Sequence, residues 1–161
     1  MTDRRRATPE DLDAVVAVFL ACWRTAYRGV LPDATVDAMT DDDAIDLWRA
    51  SLADPSGEAL VAERDGRVTG VVRWTRDDVT VQSLYVDPGD QGHGTGTALL
   101  AAAVDELAAG GSPVARLWVF EANAAARAFY TARGWVPDGA SRTEDRFGAP
   151  ECRLVLTMGR R

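Results

Sequence analysis

The chain has 161 residues, 47% of them hydrophobic, which is enough for one domain over residues 1–161 with a buried core. Its 25 acidic and 18 basic residues leave a net charge of −7, which argues against a nucleic-acid binder, where a basic footprint is expected. Cys22 and Cys152 lie far apart and form no CxxC pair, and the chain has a single histidine, so neither a disulfide scaffold nor a metal site is expected. No apolar run reaches the roughly 18 residues of a membrane span. Residues 1–6 are basic but lack the apolar stretch of a signal peptide. The expectation is a soluble cytoplasmic protein with no membrane partner.

Taken in chain order, the arginines at 4, 5 and 6 flank a first short strand. Thr8-Pro9-Glu10-Asp11 reads as a helix start, with an N-cap hydroxyl, a proline in the first turn and acids at the positive end of the dipole. Leu12, Val15, Val16, Phe19, Leu20, Trp23 and Tyr27 follow at helical spacing, so the pattern predicts an amphipathic helix ending near Gly29. Pro32-Asp33 opens a shorter helix through Val36 and Met39, and Asp41-Asp42-Asp43 starts another through Ile45 and Trp48. Those three acids are read as a solvated helix start, since adjacent side chains point in different directions.

From Ala59 the pattern turns to strands: Ala59 to Glu63, then an Asp65-Gly66 hairpin signal, Val68 to Trp74, and Val79 to Val86. A glycine-rich stretch and a helical run from Thr97 come next. Gly110 to Pro113 break the chain. Val114 to Phe120 reads as a strand, Asn123 to Arg133 as a helix, and Trp135-Val136 and Cys152 to Met158 as two closing strands. Helix pair, antiparallel meander, then strand-helix-strand is an α+β layout with a mixed sheet.

The most informative stretch is Gln91-Gly92-His93-Gly94-Thr95-Gly96, between a strand and a helix. Glycines allow tight turns and close backbone approach. The free N–H groups and dipole of a helix N-terminus favour an anion. A Walker loop would need Gly-Lys followed by Ser or Thr, and no lysine stands here. The glycine spacing is one residue too tight for a dinucleotide fingerprint, and the helix leads to Pro113 with no ribose-binding acid in place. A plain strand-to-helix turn remains the alternative.

The remaining pattern, Gln-x-x-Gly-x-Gly at Gln91, Gly94 and Gly96, resembles the acetyl-CoA pyrophosphate loop of the GNAT superfamily of N-acetyltransferases. Leu117 to Tyr130, running on to Gly134-Trp135, is similar to that family's C-terminal segment: an apolar strand, an Asn, a helix with an aromatic-Tyr pair, then Gly and an aromatic. Trp23, Tyr27, Arg28, Gly29, Leu31 and Pro32 resemble its helix-to-loop segment, and Glu151 to Met158 its closing strand. The implied fold is a mixed, mainly antiparallel central sheet flanked by helices. The implied reaction is acetyl transfer from acetyl-CoA to an amine acceptor. A homodimer is compatible with the family.

The resemblance implies roles residue by residue. Backbone N–H groups of Gln91, Gly92, His93, Gly94, Thr95 and Gly96, with Thr97 in the first helical turn, would hold the pyrophosphate. Leu84, Tyr85 and Val86 would pair with the pantetheine arm as an added strand does. The two central strands would splay, freeing the Val86 amide for the thioester oxygen, although Val86 also reads as core. Asn123 sits where the family's Asn begins the second cofactor helix, and it also reads as an N-cap. Tyr130 occupies the general-acid position; its alternative is a core side chain.

The base is not legible. Thr80 and Trp118 stand where other members carry Glu. Glu121 is the nearest carboxylate, with a solvated acid beside a helix N-terminus as its alternative, and Glu63 and Asp87 are weaker candidates. His93, at a variable loop position, reads as a solvated side chain or phosphate neighbour. Trp23, Tyr27 and Trp118 read as core or as walls of an acceptor pocket, and acceptor choice is expected to rest on loops 26–35 and 139–149. Two other readings stay open: a non-catalytic acyl-CoA-binding or regulatory domain of the same fold, and an unrelated nucleotide-binding domain.

Overall fold

The computed structural model describes residues 2–159. The elements are β1 (Asp3–Arg6), α1 (Leu12–Trp23), α2 (Asp33–Ala38), α3 (Asp41–Ala53), β2 (Gly57–Arg64), β3 (Arg67–Thr75), β4 (Thr80–Val86), α4 (Thr95–Ala109), β5 (Val114–Phe120), α5 (Ala124–Thr131), β6 (Val136–Glu144) and β7 (Ala149–Thr157). Seven strands form one sheet in the order β1-β2-β3-β4-β5-β7-β6. Every neighbouring pair is antiparallel except β4 with β5. The mixed α+β layout expected from the pattern is the observed one.

The period-2 alternation of the strands sends consecutive residues to opposite faces. In β3, Val71 packs with Val15, Phe19, Trp23 and Trp48 on the face covered by α1 and α3. Its neighbour Val72 packs with Leu99, Ala103, Leu107 and Leu117 beneath α4. Trp23, Trp48, Trp74 and Trp135 are each at most 2% exposed, so both layers are anchored by large rings. Truncating any of them to Ala is expected to cost about 3–5 kcal/mol, because the transfer and cavity terms add.

Three of the boundaries that differ from the sequence pattern do so for a plain local reason. The arginines of the N-terminus form β1 rather than flank it. Their charges suit an edge strand, and Arg5 bridges Asp11 and Glu63, both at 2.7 Å. The first helix stops at Trp23, not near Gly29: the Thr25 hydroxyl donates to the Ala21 carbonyl (2.7 Å), and the chain goes on as turns. The final hairpin is far longer than Trp135-Val136 suggested. β6 is almost wholly exposed, carries Pro137 and Gly139, and slips register between Pro137 and Ser141. An edge strand with polar residues and a bulge has no apolar alternation to read.

The feature that positions the site lies in the middle of the sheet. β4 and β5 pair only at Thr80↔Arg116 and Val81↔Leu117. Beyond them the strands diverge, β4 towards Val86 and β5 towards Phe120. A register shift at Arg73/Trp74 leaves Gln82 as the extra residue in β4, just where the divergence begins. Such a bulge increases local twist and turns the strand away from its neighbour.

Candidate active site

The glycine loop closes the wide end of the splay. Pro88–Asp90 make one short turn, in which the Asp87 carboxylate accepts from the Gly89 N–H at 2.8 Å. Buried Asp90 accepts from the Thr95 hydroxyl (2.7 Å) and pairs with Arg64 (2.9 Å), which pins the start of α4. Gly92 (φ +85°) and Gly94 (φ +79°) take the left-handed backbone that side chains resist, with no atom near enough to crowd a Cβ. Gly94 is therefore the N-cap and α4 begins at Thr95, earlier than the pattern suggested. Gly96 differs: its Cβ would meet Val86 and Phe129 at ordinary contact distances, 3.5 and 3.6 Å.

Among the described residues, no hydrogen bond is donated by the backbone N–H of Gly92, His93, Gly94, Thr95, Gly96 or Thr97. Those of Gly94 to Thr97 are the orphan donors of a helix start, backed by its dipole, and those of Gly92 and His93 belong to the loop before it. His93 is exposed. Arg133, from the turn after α5, lies over the Phe129 ring at 3.7 Å and donates to the Thr97 hydroxyl at 2.7 and 3.0 Å. It forms no salt bridge among the described residues, so a positive charge without a carboxylate partner stands beside the open amides.

Along the splay the backbone of β4 is also available. Asp87 donates to the Thr69 carbonyl (2.8 Å). Because hydrogen-bonded and non-hydrogen-bonded pairs alternate in an antiparallel ladder, Val86 and Leu84 turn their backbone groups away from β3, towards the gap. The Val86 carbonyl accepts from the Cys22 thiol (3.0 Å) and the Gln91 amide (3.2 Å). Burial pushes the Cys22 thiol up to about 11, so it remains a neutral donor there.

The gap between the diverging strands holds a cavity of about 260 Å³, lined by Ser83, Leu84, Tyr85 and Phe120 of those strands and by Tyr27, Tyr130, Phe147 and Glu151. Phe129 and Tyr130 take different directions. Phe129 meets the start of α4, and Tyr130 turns to the cavity, edge-on to Trp135 at 6.0 Å. Burial raises the Tyr130 phenol above its ordinary value, and nearby Tyr27 raises it further. Tyr85 is raised by burial too. Asn123 caps α5 by accepting from the Ala126 N–H (3.1 Å), and it also lines the cavity, so both of its expected roles are open to it. Trp23 and Tyr27 are likewise core and cavity wall at once, whereas Trp118 is half-buried and lines the cavity from outside the core clusters.

The carboxylates fall into two groups. Glu121 is exposed at the end of β5, outside the cavity lining, with its backbone N–H bonded to Pro150. Glu63 and Asp87 are paired with Arg5 and Arg67 and do not line the cavity. Glu151 does line it; its side chain is 9% exposed and paired with Arg142 at 2.8 Å. Sequence reading missed Glu151, Arg142, Arg133 and Cys22. Glu151 stood at the start of an expected strand without a spacing that marks it, and Arg133 resembled an ordinary helix-end cation.

The chain matches the model of the acetyltransferase (GNAT) family over residues 17–135. It is 33% identical over 138 residues to an uncharacterized N-acetyltransferase of Archaeoglobus fulgidus, covering 80% of this chain and 89% of that one. In fold it is similar to the PaiA N-acetyltransferase of Thermoplasma acidophilum, solved in complex with coenzyme A, with a TM-score of 0.78, 18% identity and coverage of 98% and 99%. It is also similar to YncA of Salmonella typhimurium, solved with acetyl-CoA, with a TM-score of 0.72, 22% identity and coverage of 100% and 96%. The open helix start and the splayed sheet thus belong to an acetyltransferase fold, and the chain is a member of the GNAT acetyltransferase family.

Proposed function

We propose that this protein transfers the acetyl group of acetyl-CoA to a primary amine of a small molecule or peptide, by direct attack, with Tyr130 as general acid. One observation carries the reading: the cavity holding Tyr130 fills the gap between β4 and β5, and the open amides of residues 92–97 follow directly from the end of β4 at the mouth of that gap. A ligand with a diphosphate at one end and a reactive thioester at the other fits that distribution. Gln91 to Thr97 hold the pyrophosphate, and Leu84, Tyr85 and Val86 align the pantetheine arm. The Val86 amide stabilises charge developing on the carbonyl oxygen, and Asn123 supports the arm from the start of α5.

In the transfer, the amine nitrogen forms its bond to the acetyl carbon as the carbon–sulfur bond breaks. Tyr130 gives its proton to the departing thiolate, and burial raises that phenol above its ordinary value, which keeps it protonated near neutral pH. The amine proton leaves through a carboxylate or a water relay. Glu121, singled out by its sequence position, is one acceptor, and Glu151 is favoured as a second by its place in the cavity wall. Calorimetry with acetyl-CoA, together with free-thiol release over a panel of amines, tests the reading. Binding without thiol release from any amine would favour the non-catalytic acyl-CoA-binding alternative.

A further inference from the structure

Glu151 and Arg142 form a pair that the transfer chemistry alone does not require. Two carboxylates line the cavity. Glu144 accepts from the Phe147 N–H at 2.8 Å through Oε2, which ties that carboxylate to the β6–β7 turn, and only Glu151 is paired with an arginine. Glu151 accepts from Arg142 Nε at 2.8 Å through Oε1, and among the described residues its Oε2 accepts nothing. Arg142 uses only Nε. Neither terminal nitrogen donates to a described residue, and the side chain is 48% exposed. Its guanidinium lies over the Trp118 ring at 4.2 Å, which fixes the plane of the fork.

The open Oε2 of Glu151 therefore stands beside the open guanidinium fork of Arg142 at the cavity. A fork of this kind matches a carboxylate with two parallel hydrogen bonds. The complement of the pair is a small molecule with an ammonium and a carboxylate on adjacent atoms. A simple monoamine would satisfy Glu151 and leave the fork empty. A polyamine would bring a second cation towards Arg142, an unfavourable juxtaposition. Beside the polar Gln82, Ser83 and Asn123, one part of the wall is aromatic: Tyr27 stacks on Trp23 at 4.9 Å, Phe147 lies 4.8 Å from Trp23, and Phe120 meets Tyr27 edge-on at 6.0 Å. These rings suit an uncharged side chain.

We propose that the acceptor is the α-amino group of a free α-amino acid with an apolar side chain. Glu151 receives the ammonium and takes its proton. The Arg142 fork holds the α-carboxylate, and the aromatic wall receives the side chain. This rests on the acetyltransferase reading above and narrows its acceptor to one chemical class.

Calorimetry on the coenzyme A-loaded protein tests it with matched probes: L-phenylalanine and L-methionine, their decarboxylated counterparts phenethylamine and 3-(methylthio)propylamine, and 3-phenylpropanoate, which lacks the amine. At least one amino acid is expected to bind tenfold or more tighter than its decarboxylated counterpart. Arg142→Gln, which keeps a donor for Glu151, is expected to bring that ratio close to one. Circular dichroism confirms that the variant is folded, and the wild-type ratio stands without it. Equal or tighter binding of both decarboxylated amines would overturn the proposal, as would a ratio unchanged in a folded Arg142→Gln variant. Acetylation of phenethylamine but neither amino acid would overturn it while leaving acetyl transfer intact. Selective amino-acid binding with no thiol release would uphold the recognition and remove the transferase reading.

Discussion

At the start of α4 the candidate site offers open backbone amides, Gly92 to Thr97, whereas within the gap between β4 and β5 it offers side chains: Tyr27, Tyr130, Arg142 and Glu151, drawn from after α1, α5, β6 and β7. A site made of backbone needs a permissive chain at consecutive positions, and glycines write that need into a short stretch. A site made of side chains is assembled by the tertiary fold from positions more than a hundred residues apart. The first end depends on backbone conformation and tolerates many side chains. The second depends on individual functional groups.

The largest expected effect tests the side-chain end. Tyr130→Phe keeps the ring and removes the donor, so turnover should fall roughly 10²–10⁴-fold with little change in acetyl-CoA affinity. Full turnover, where chemistry is rate-limiting, would make Tyr130 a packing residue. Its pH dependence has a definite sign. Because burial raises the phenol above its ordinary value of about 10, its proton is lost only as pH climbs past that raised value. An alkaline fall in kcat well below pH 10 would therefore belong to another group.

The backbone end is tested by Gly94→Val. A β-branched residue at φ +79° costs at least about 1–2 kcal/mol and displaces the loop. Acetyl-CoA affinity should drop at least tenfold in calorimetry while circular dichroism reports a folded chain; unchanged affinity would sink the loop as the phosphate site. Arg133→Ala asks whether side chains contribute at that end too. Losing a charge-assisted contact should raise KM for acetyl-CoA about tenfold and leave KM for S-acetylpantetheine, which lacks the nucleotide, nearly unchanged. An equal rise with both donors would place Arg133 in packing alone.

The base is decided by Glu121→Gln and Glu151→Gln, read as pH–rate profiles. The variant that has lost the base should be slow near neutral pH and partly recover as free amine rises. Two profiles superimposable on the parent would leave a water relay. The smallest effect is expected from Gly96→Ala. Its Cβ has room, and alanine is favoured over glycine in a helix by about 0.8–1 kcal/mol. A higher melting temperature with weaker acetyl-CoA binding would show that the ligand's backbone approach extends to residue 96; unchanged binding would confine it to Gly92 and Gly94.

The same contrast explains what could be read in advance. The meander, the glycine turn and α4 were legible because local periodicity and glycine placement determine them. Tyr130 and Asn123 were legible because they sit in a contiguous segment that resembles the family's. Glu151 was not: its cavity position follows from the pairing of Glu151 with Phe120 and Arg142 across β5, β7 and β6, and no local pattern announces a cross-strand neighbour. β6 itself was nearly invisible, since an exposed, polar, bulged edge strand reads as loop. The candidate acceptor residue Arg142 stands on that strand.

The two residue pairs that join β4 to β5 have a thermodynamic consequence. The sheet is in effect a four-stranded and a three-stranded unit fastened by a narrow seam, and along the rest of the gap the edges lack each other as partners. A ligand arm that enters as the missing strand would bind the native state and not the unfolded chain. By mass action it would stabilise the fold by about 2.7 kcal/mol at a hundred times its dissociation constant. The level of acyl-CoA around the protein would then govern its lifetime against heat and proteases as well as its occupancy.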